Sequence, residues 1–115
     1  MGYEETARMI HRSGNNCSVS LYRAFSDKLG IAEEEAAGIA PAPRSEGGLC
    51  GAYLAGCRIL EAVKPEALEE FENRFFENNH ETHCANLLKE RRKIGKTCND
   101  LVGETSKLIE ELLNR

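Results

Sequence analysis

No stretch of the 115 residues approaches the roughly 20 apolar positions that a bilayer-spanning helix needs, so membrane insertion is not expected. The opening MGYEETARMI lacks a basic segment followed by an apolar block; no secretory signal is expected, and the location reads as cytoplasmic. Gly2 follows Met1, but Thr6 lies in an acidic, helical-looking segment, a poor setting for myristoylation. Basic excess is missing as well: 15 Lys and Arg stand against 19 Asp and Glu, a formal net charge of −4, which argues against a nucleic-acid partner. There is no CxxC pair, hence no thioredoxin-type site or zinc ribbon, and no CxxCH haem attachment motif. Paired carboxylates, a Ser–His–Asp set and a phosphate loop are likewise absent, leaving a hydrolase or kinase without support. No segment alternates with the period of two that marks a strand, and no repeat recurs at a fixed spacing.

What is there suits one soluble helical domain, residues 1–115, long enough for a single core: 41% hydrophobic and 30% charged residues. Residues 3–12 read as a short amphipathic helix with Ala7, Met9 and Ile10 available for burial. Ser13-Gly14-Asn15-Asn16 stops one helix and caps the next, which carries Val19, Leu21, Tyr22, Phe25 and Leu29 until Gly30 closes it. Residues 32–40 form a short helix of high propensity, interrupted by Gly38. The stretch 41–48, Pro-Ala-Pro-Arg-Ser-Glu-Gly-Gly, is a loop expected to fold over the segment that follows it. A helix over about 49–63 places Leu54, Ile59, Leu60 and Val63 on one stripe. Pro65 starts the next, about 65–78, with Leu68, Phe71, Phe75 and Phe76 on one side and a solvated acidic face on the other. Thr82 is a candidate cap for a helix from His83 to about Ile94, bearing Leu87, Leu88 and Ile94. Thr97, with Asp100 three residues on, comes close to a capping box for a final helix over about 98–113. The expected architecture is all-α, a compact bundle of five to seven short helices.

The chain centres on residues 47–57, GGLCGAYLAGC. Gly47 and Gly48 permit positive φ before the helix begins. Gly51, Ala52, Ala55 and Gly56 have so little side chain that another backbone or a bound group can approach closely. Cys57 follows Cys50 by two helical turns, on nearly the same face. Four of the five cysteines, Cys17, Cys50, Cys84 and Cys98, fall at expected helix starts. Unpaired N–H groups and the helix dipole there favour a thiolate, the form that attacks disulfides or binds metal. Cys57 lies mid-helix and reads as a small apolar core residue. An odd number of cysteines leaves one over from any closed disulfide set, and a cytosolic setting keeps thiols reduced.

The order of a lone cysteine, a glycine-rich cysteine motif and two further lone cysteines resembles the C_GCAxxG_C_C family of small redox-active proteins. The residues carrying the resemblance are Asn16-Cys17, Gly48-Leu49-Cys50-Gly51-Ala52, the segment from Asn79 through Cys84, and Cys98 opening the last helix. It spans about residues 14–113. One position departs: the family's motif glycine is Ala55 here, with Gly56 next, and Cys57 falls outside the pattern. The resemblance implies redox chemistry at the cysteines. Some members carry selenocysteine at a cysteine position, and a related cysteine-bearing domain occurs in a cytochrome associated with an iron–sulfur centre. The genes often neighbour transporter genes, so the resemblance also admits a transporter as partner.

Three functions follow. In the first, Cys50 is the nucleophile of thiol–disulfide or electron-transfer chemistry, with open, glycine-lined access, and Cys17, Cys84 or Cys98 resolves it for an unnamed redox partner. The run Lys89, Arg91, Arg92, Lys93 and Lys96 is a solvated face or an aid to thiolates. In the second, Cys17, Cys50, Cys84 and Cys98 are ligands to zinc or an iron–sulfur cluster, with His11, His80 or His83 as candidate nitrogen donors. In the third, the bundle is a non-catalytic interaction module. The first two require the four sulfurs to meet in one pocket.

Overall fold

A computed structural model of the protein describes residues 2–114; Met1 and Arg115 lie outside them. Among the described residues there are eight α-helices and no strand: α1 (Tyr3–Arg12), α2 (Cys17–Ala24), α3 (Ser26–Leu29), α4 (Glu33–Ile39), α5 (Gly51–Val63), α6 (Leu68–Asn79), α7 (Cys84–Lys93) and α8 (Cys98–Leu113). A 3-10 turn, Pro65–Ala67, leads into α6. The all-α class is as expected, but eight helices replace five to seven. The difference arises at Phe25, whose φ of −101° and ψ of 17° break the second expected helix into α2 and α3. The break buries Phe25 completely and stacks it on Tyr3, ring centroids 4.4 Å apart.

The helix boundaries follow local chemistry. Asn16 caps α2, its side chain accepting from the Val19 N–H. Thr97 and Asp100 complete a reciprocal capping box at α8, worth about 1 kcal/mol for the cap residue. Gly30 ends α3 at a φ of +70°. The α5 helix is central, packing on α2, α6 and α8, while α1 runs along α8 and against α2. Gly56 of α5 lets the tip of the Phe71 ring lie directly on the α5 backbone, where an added Cβ would stand 2.2 Å from Phe71 Cζ. Phe71 and Phe75 are buried there beside Tyr53; burying each contributes roughly 1.5–3 kcal/mol.

Not every apolar residue in the expected stripes is used. Met9, Phe76 and Ile94 are exposed at 48%, 54% and 68%. Successive helical residues point about 100° apart, so Phe76 cannot share the core direction of Phe75. Ile94 is the residue at which α7 ends and drops out of its stripe. No described helix is long and apolar enough to cross a membrane.

Candidate functional site: four thiols at helix starts

Two of the cysteines are drawn together by backbone. Leu49 and His83 form an isolated antiparallel bridge. Flanking it, the Cys50 N–H donates to the Thr82 carbonyl and the Cys84 N–H donates to the Gly48 carbonyl, each at 2.8 Å. Both segments turn at once into helices, α5 after Cys50 as its cap residue and α7 at Cys84. Gly47 and Gly48, at φ of +65° and +85°, supply the left-handed turn that brings the first segment to the bridge. Thr82 does not cap α7 with its side chain; the cap position is His83, and the Thr82 carbonyl is committed to Cys50. Glu81 satisfies the free donors instead, accepting from the Thr82 and His83 N–H groups at 2.9 and 3.0 Å. These bonds hold its carboxyl at about 2.

The loop over residues 41–48 does fold over this region. A Cβ on Gly51 would lie 2.9 Å from Pro43 Cγ and 3.4 Å from the Ser18 backbone nitrogen. Gly51 therefore admits both the loop and the first turn of α2, and with it Cys17. Arg44 holds the loop down, its N–H donating to the Leu49 carbonyl and its own carbonyl accepting from Gly48. Its backbone is left-handed at φ of +67°, rare for a residue with a side chain. From there its guanidinium is acted on by Cys84 first and more weakly by Cys98, which raises the Arg44 pKa.

Cys98 opens α8, the helix against which α1 packs. Gly103 lets the Arg8 guanidinium lie against the α8 backbone. Arg8 pairs with Glu4 at 3.0 Å and Asp100 at 3.1 Å, and it also reaches Asn99. The cluster is visible at Cys17. Burial pushes its thiol up to about 12, followed by the charges of Cys50, Cys98 and Cys84 and a side-chain interaction with Cys98. The other three cysteines thus act on the Cys17 thiol, and each of the four residues sits at a helix start, as expected.

The electrostatics of those starts differ from expectation. The Tyr53 and Ala52 N–H groups donate to Cys50 and lower its pKa, the expected helix-start effect. Burial opposes and exceeds it, so the Cys50 thiol is raised overall. Open access is corrected too: Cys50 is 3% exposed, whereas Cys17, Cys84 and Cys98 are half-buried. A helix end stabilises an anion by at most a couple of kcal/mol, less than desolvating a thiolate costs.

The remaining candidates separate cleanly. Cys57 is half-buried in the middle of α5, packed against the core, and burial with nearby Glu72 pushes it up to about 12. His80 takes a left-handed conformation at the end of α6 and lines a polar cavity away from the cysteines, bounded by Asn79, Arg91 and Glu104. The His83 ring bonds Glu81 at 3.1 Å. His11 does reach a sulfur: its Nε2 is 3.9 Å from Cys17 Sγ. The basic run of α7 turns elsewhere. Arg91 is buried on Asn79 and Glu104, Lys96 meets Glu104, and Lys93 meets Glu90. Arg44, expected only as a loop residue, is a cation on which Cys84 and Cys98 act. Among the described residues no group of three or more His, Cys, Asp or Glu is spaced to hold a metal ion. As they stand, the four free thiols do not fit a ready zinc or iron–sulfur cage.

Comparison with known proteins agrees with the cysteine pattern. The family model described as "Putative redox-active protein (C_GCAxxG_C_C)" matches residues 15–112. No curated protein and no solved structure matches the chain. The match covers nearly the whole chain and contains Cys17, Cys50, Cys84 and Cys98, and so the protein belongs to the C_GCAxxG_C_C family.

Proposed function

We propose that the four-cysteine cluster is a dithiol–disulfide exchange centre, with Cys17 and Cys98 as the exchanging pair and Cys50 and Cys84 as flanking thiols. The observation that carries this reading is the placement of all four cysteines at helix starts, with the Cys50 and Cys84 segments joined by backbone bonds; the influence of the other three cysteines on the Cys17 thiol supports it. The Cys98 thiolate attacks one sulfur of a partner disulfide, and the partner's other sulfur leaves with the bond's electron pair. Cys17 then attacks the Cys98 sulfur of the mixed disulfide and expels the second partner sulfur. Two electrons and two protons pass to the partner, which becomes a dithiol, and a Cys17–Cys98 disulfide remains. Cys50 is enclosed and acts as an inner thiol, and Cys84 lies under Arg44. A reducing compartment such as the cytoplasm keeps the resting state as free thiols.

Peptide mass mapping after mild oxidation tests the reading. Protein purified without oxygen should give a Cys17–Cys98 disulfide that a dithiol reductant reverses, with Cys57 still free. Near-stoichiometric zinc, or iron with sulfide, in the anaerobic protein would replace this reading with the metal-site alternative. Metal-free thiols that stay inert would leave only a helical interaction module.

A further inference from the structure

His11 is joined to Cys17 on one side and to Asn99 on the other. Its Nε2 stands 3.9 Å from Cys17 Sγ, and its Nδ1 stands 3.2 Å from Asn99 Nδ2. The orientation of the Asn99 amide is set independently by Arg8. Asn99 Nδ2 donates to the Arg8 carbonyl at 3.0 Å, and Asn99 Oδ1 accepts from Arg8 Nη1 at 3.4 Å. Turning the amide over would set oxygen against oxygen and N–H against N–H. The face that Asn99 shows His11 is therefore a donor, and a ring nitrogen facing a donor must carry a bare lone pair. In a neutral imidazole the proton then resides on the other nitrogen, Nε2, the one directed at sulfur. Half-burial of the ring, with Arg12 nearby, lowers the His11 pKa and keeps the ring neutral.

We infer that His11 is a neutral hydrogen-bond donor locked in its Nε2–H tautomer by Asn99, and that it stabilises Cys17 as the leaving thiolate of the exchange. The inference rests on the dithiol–disulfide reading. In the return half-cycle a dithiol reductant attacks the Cys98 sulfur of the Cys17–Cys98 disulfide. The S–S bond breaks, Cys98 enters a mixed disulfide with the reductant, and Cys17 departs with the electron pair as a thiolate. His11 Nε2–H donates a hydrogen bond to that sulfur and keeps its proton. The reductant's second thiol then displaces Cys98 and leaves as a disulfide, its two protons restoring both protein thiols. A buried sulfur is a poor leaving group without such a donor, and hydrogen bonds to charged groups are the strong ones. Asn99 touches neither sulfur in the exchanging pair through this network and is a positioning residue. His11 precedes the matched residues 15–112, so the family pattern assigns it nothing.

Nitrogen NMR of the intact, reduced chain at neutral pH reads the tautomer directly. His11 should show a protonated Nε2 and a bare Nδ1; a protonated Nδ1 would overturn the inference. The chemistry is read by peptide-resolved alkylation and by the rate at which a dithiol reduces the oxidised protein. His11→Leu should slow alkylation of Cys17 and reduction of its disulfide by about tenfold, the scale of a lost hydrogen bond to a charged group. Cys57 alkylation should be unchanged, which checks that the variant is folded. His11→Gln, whose amide can present an N–H near the same place, should recover much of both rates. A disulfide that forms and is reduced equally fast in wild type and His11→Leu would overturn the role of His11 and leave the exchange centre standing. Thiols that never oxidise would overturn the exchange centre and this role with it.

Discussion

Cys50 and Cys57 lie on one helix, two turns apart and on nearly one face, yet they have different neighbours. Cys50 is the cap residue of α5, where backbone N–H groups are free to turn toward its sulfur, and Cys84 and Cys98 act on it. Cys57 is mid-helix, where the N–H groups are spent on the helix itself, and it meets Tyr53 and Glu72. Both thiols are raised, chiefly by burial. What separates them is company: one is acted on by other cysteines, and the other faces a carboxylate and a phenol. A cysteine's chemistry is thus decided by which segments end beside it more than by the burial of the residue.

The largest effect that would sharpen this contrast is in oxidation chemistry. Cys17→Ser should abolish the reversible disulfide seen by mass mapping, whereas Cys57→Ser should leave its yield unchanged. Equal loss in both variants would erase the distinction. Next in size is a stability effect at the two glycines of α5. Gly56→Ala drives a methyl into the Phe71 ring and should cost about 1–3 kcal/mol in urea unfolding. Gly51→Ala meets the Pro43 ring and the Ser18 backbone nitrogen at longer distances, so it should cost less, and displacing the loop should speed alkylation of Cys50.

Smaller again is the effect of acid. The Asp100 carboxyl is held at about 2 by the Thr97 N–H and Arg8, against an ordinary value of 3.8. A carboxyl depressed on folding contributes stability above its ordinary pKa and loses it as pH falls toward the folded value. Melting temperature should therefore hold from neutral pH to about pH 4 and decline from there toward pH 2, and Asp100→Asn should flatten part of the decline. The least effect is expected for Arg44→Gly, which keeps the left-handed backbone and removes the guanidinium. Its unfolding midpoint should be preserved, while alkylation of Cys84 by anionic iodoacetate slows severalfold more than alkylation by neutral iodoacetamide.

Helix starts were legible because they are written locally. Asn16, Thr97 with Asp100, and Gly47-Gly48 each fix a terminus through a bond or a backbone angle that a few neighbouring residues determine. The cysteines at those termini were legible for the same reason. Three features were not. Thr82 resembles a cap in isolation, but a partner from residue 50 uses its carbonyl. Arg91 belongs to a basic run, yet Asn79 and Glu104 from two other helices bury it. The orientation of His11 depends on Asn99 and Arg8, and Asn99 is 88 positions away. Each is settled by tertiary neighbours that no local window contains. The net rise of Cys50 belongs here too, because the helix-start effect is local while burial is set by tertiary packing.

Proximity of the four sulfurs is tested most directly by a trivalent arsenical, which binds stably only where two thiols can reach one arsenic atom. Applied to the reduced protein and mapped by peptide mass, it should bridge two residues drawn from Cys17, Cys50, Cys84 and Cys98 and leave Cys57 unmodified. Failure to bridge any pair in the folded protein, with bridging appearing only after denaturation, would contradict a shared thiol site.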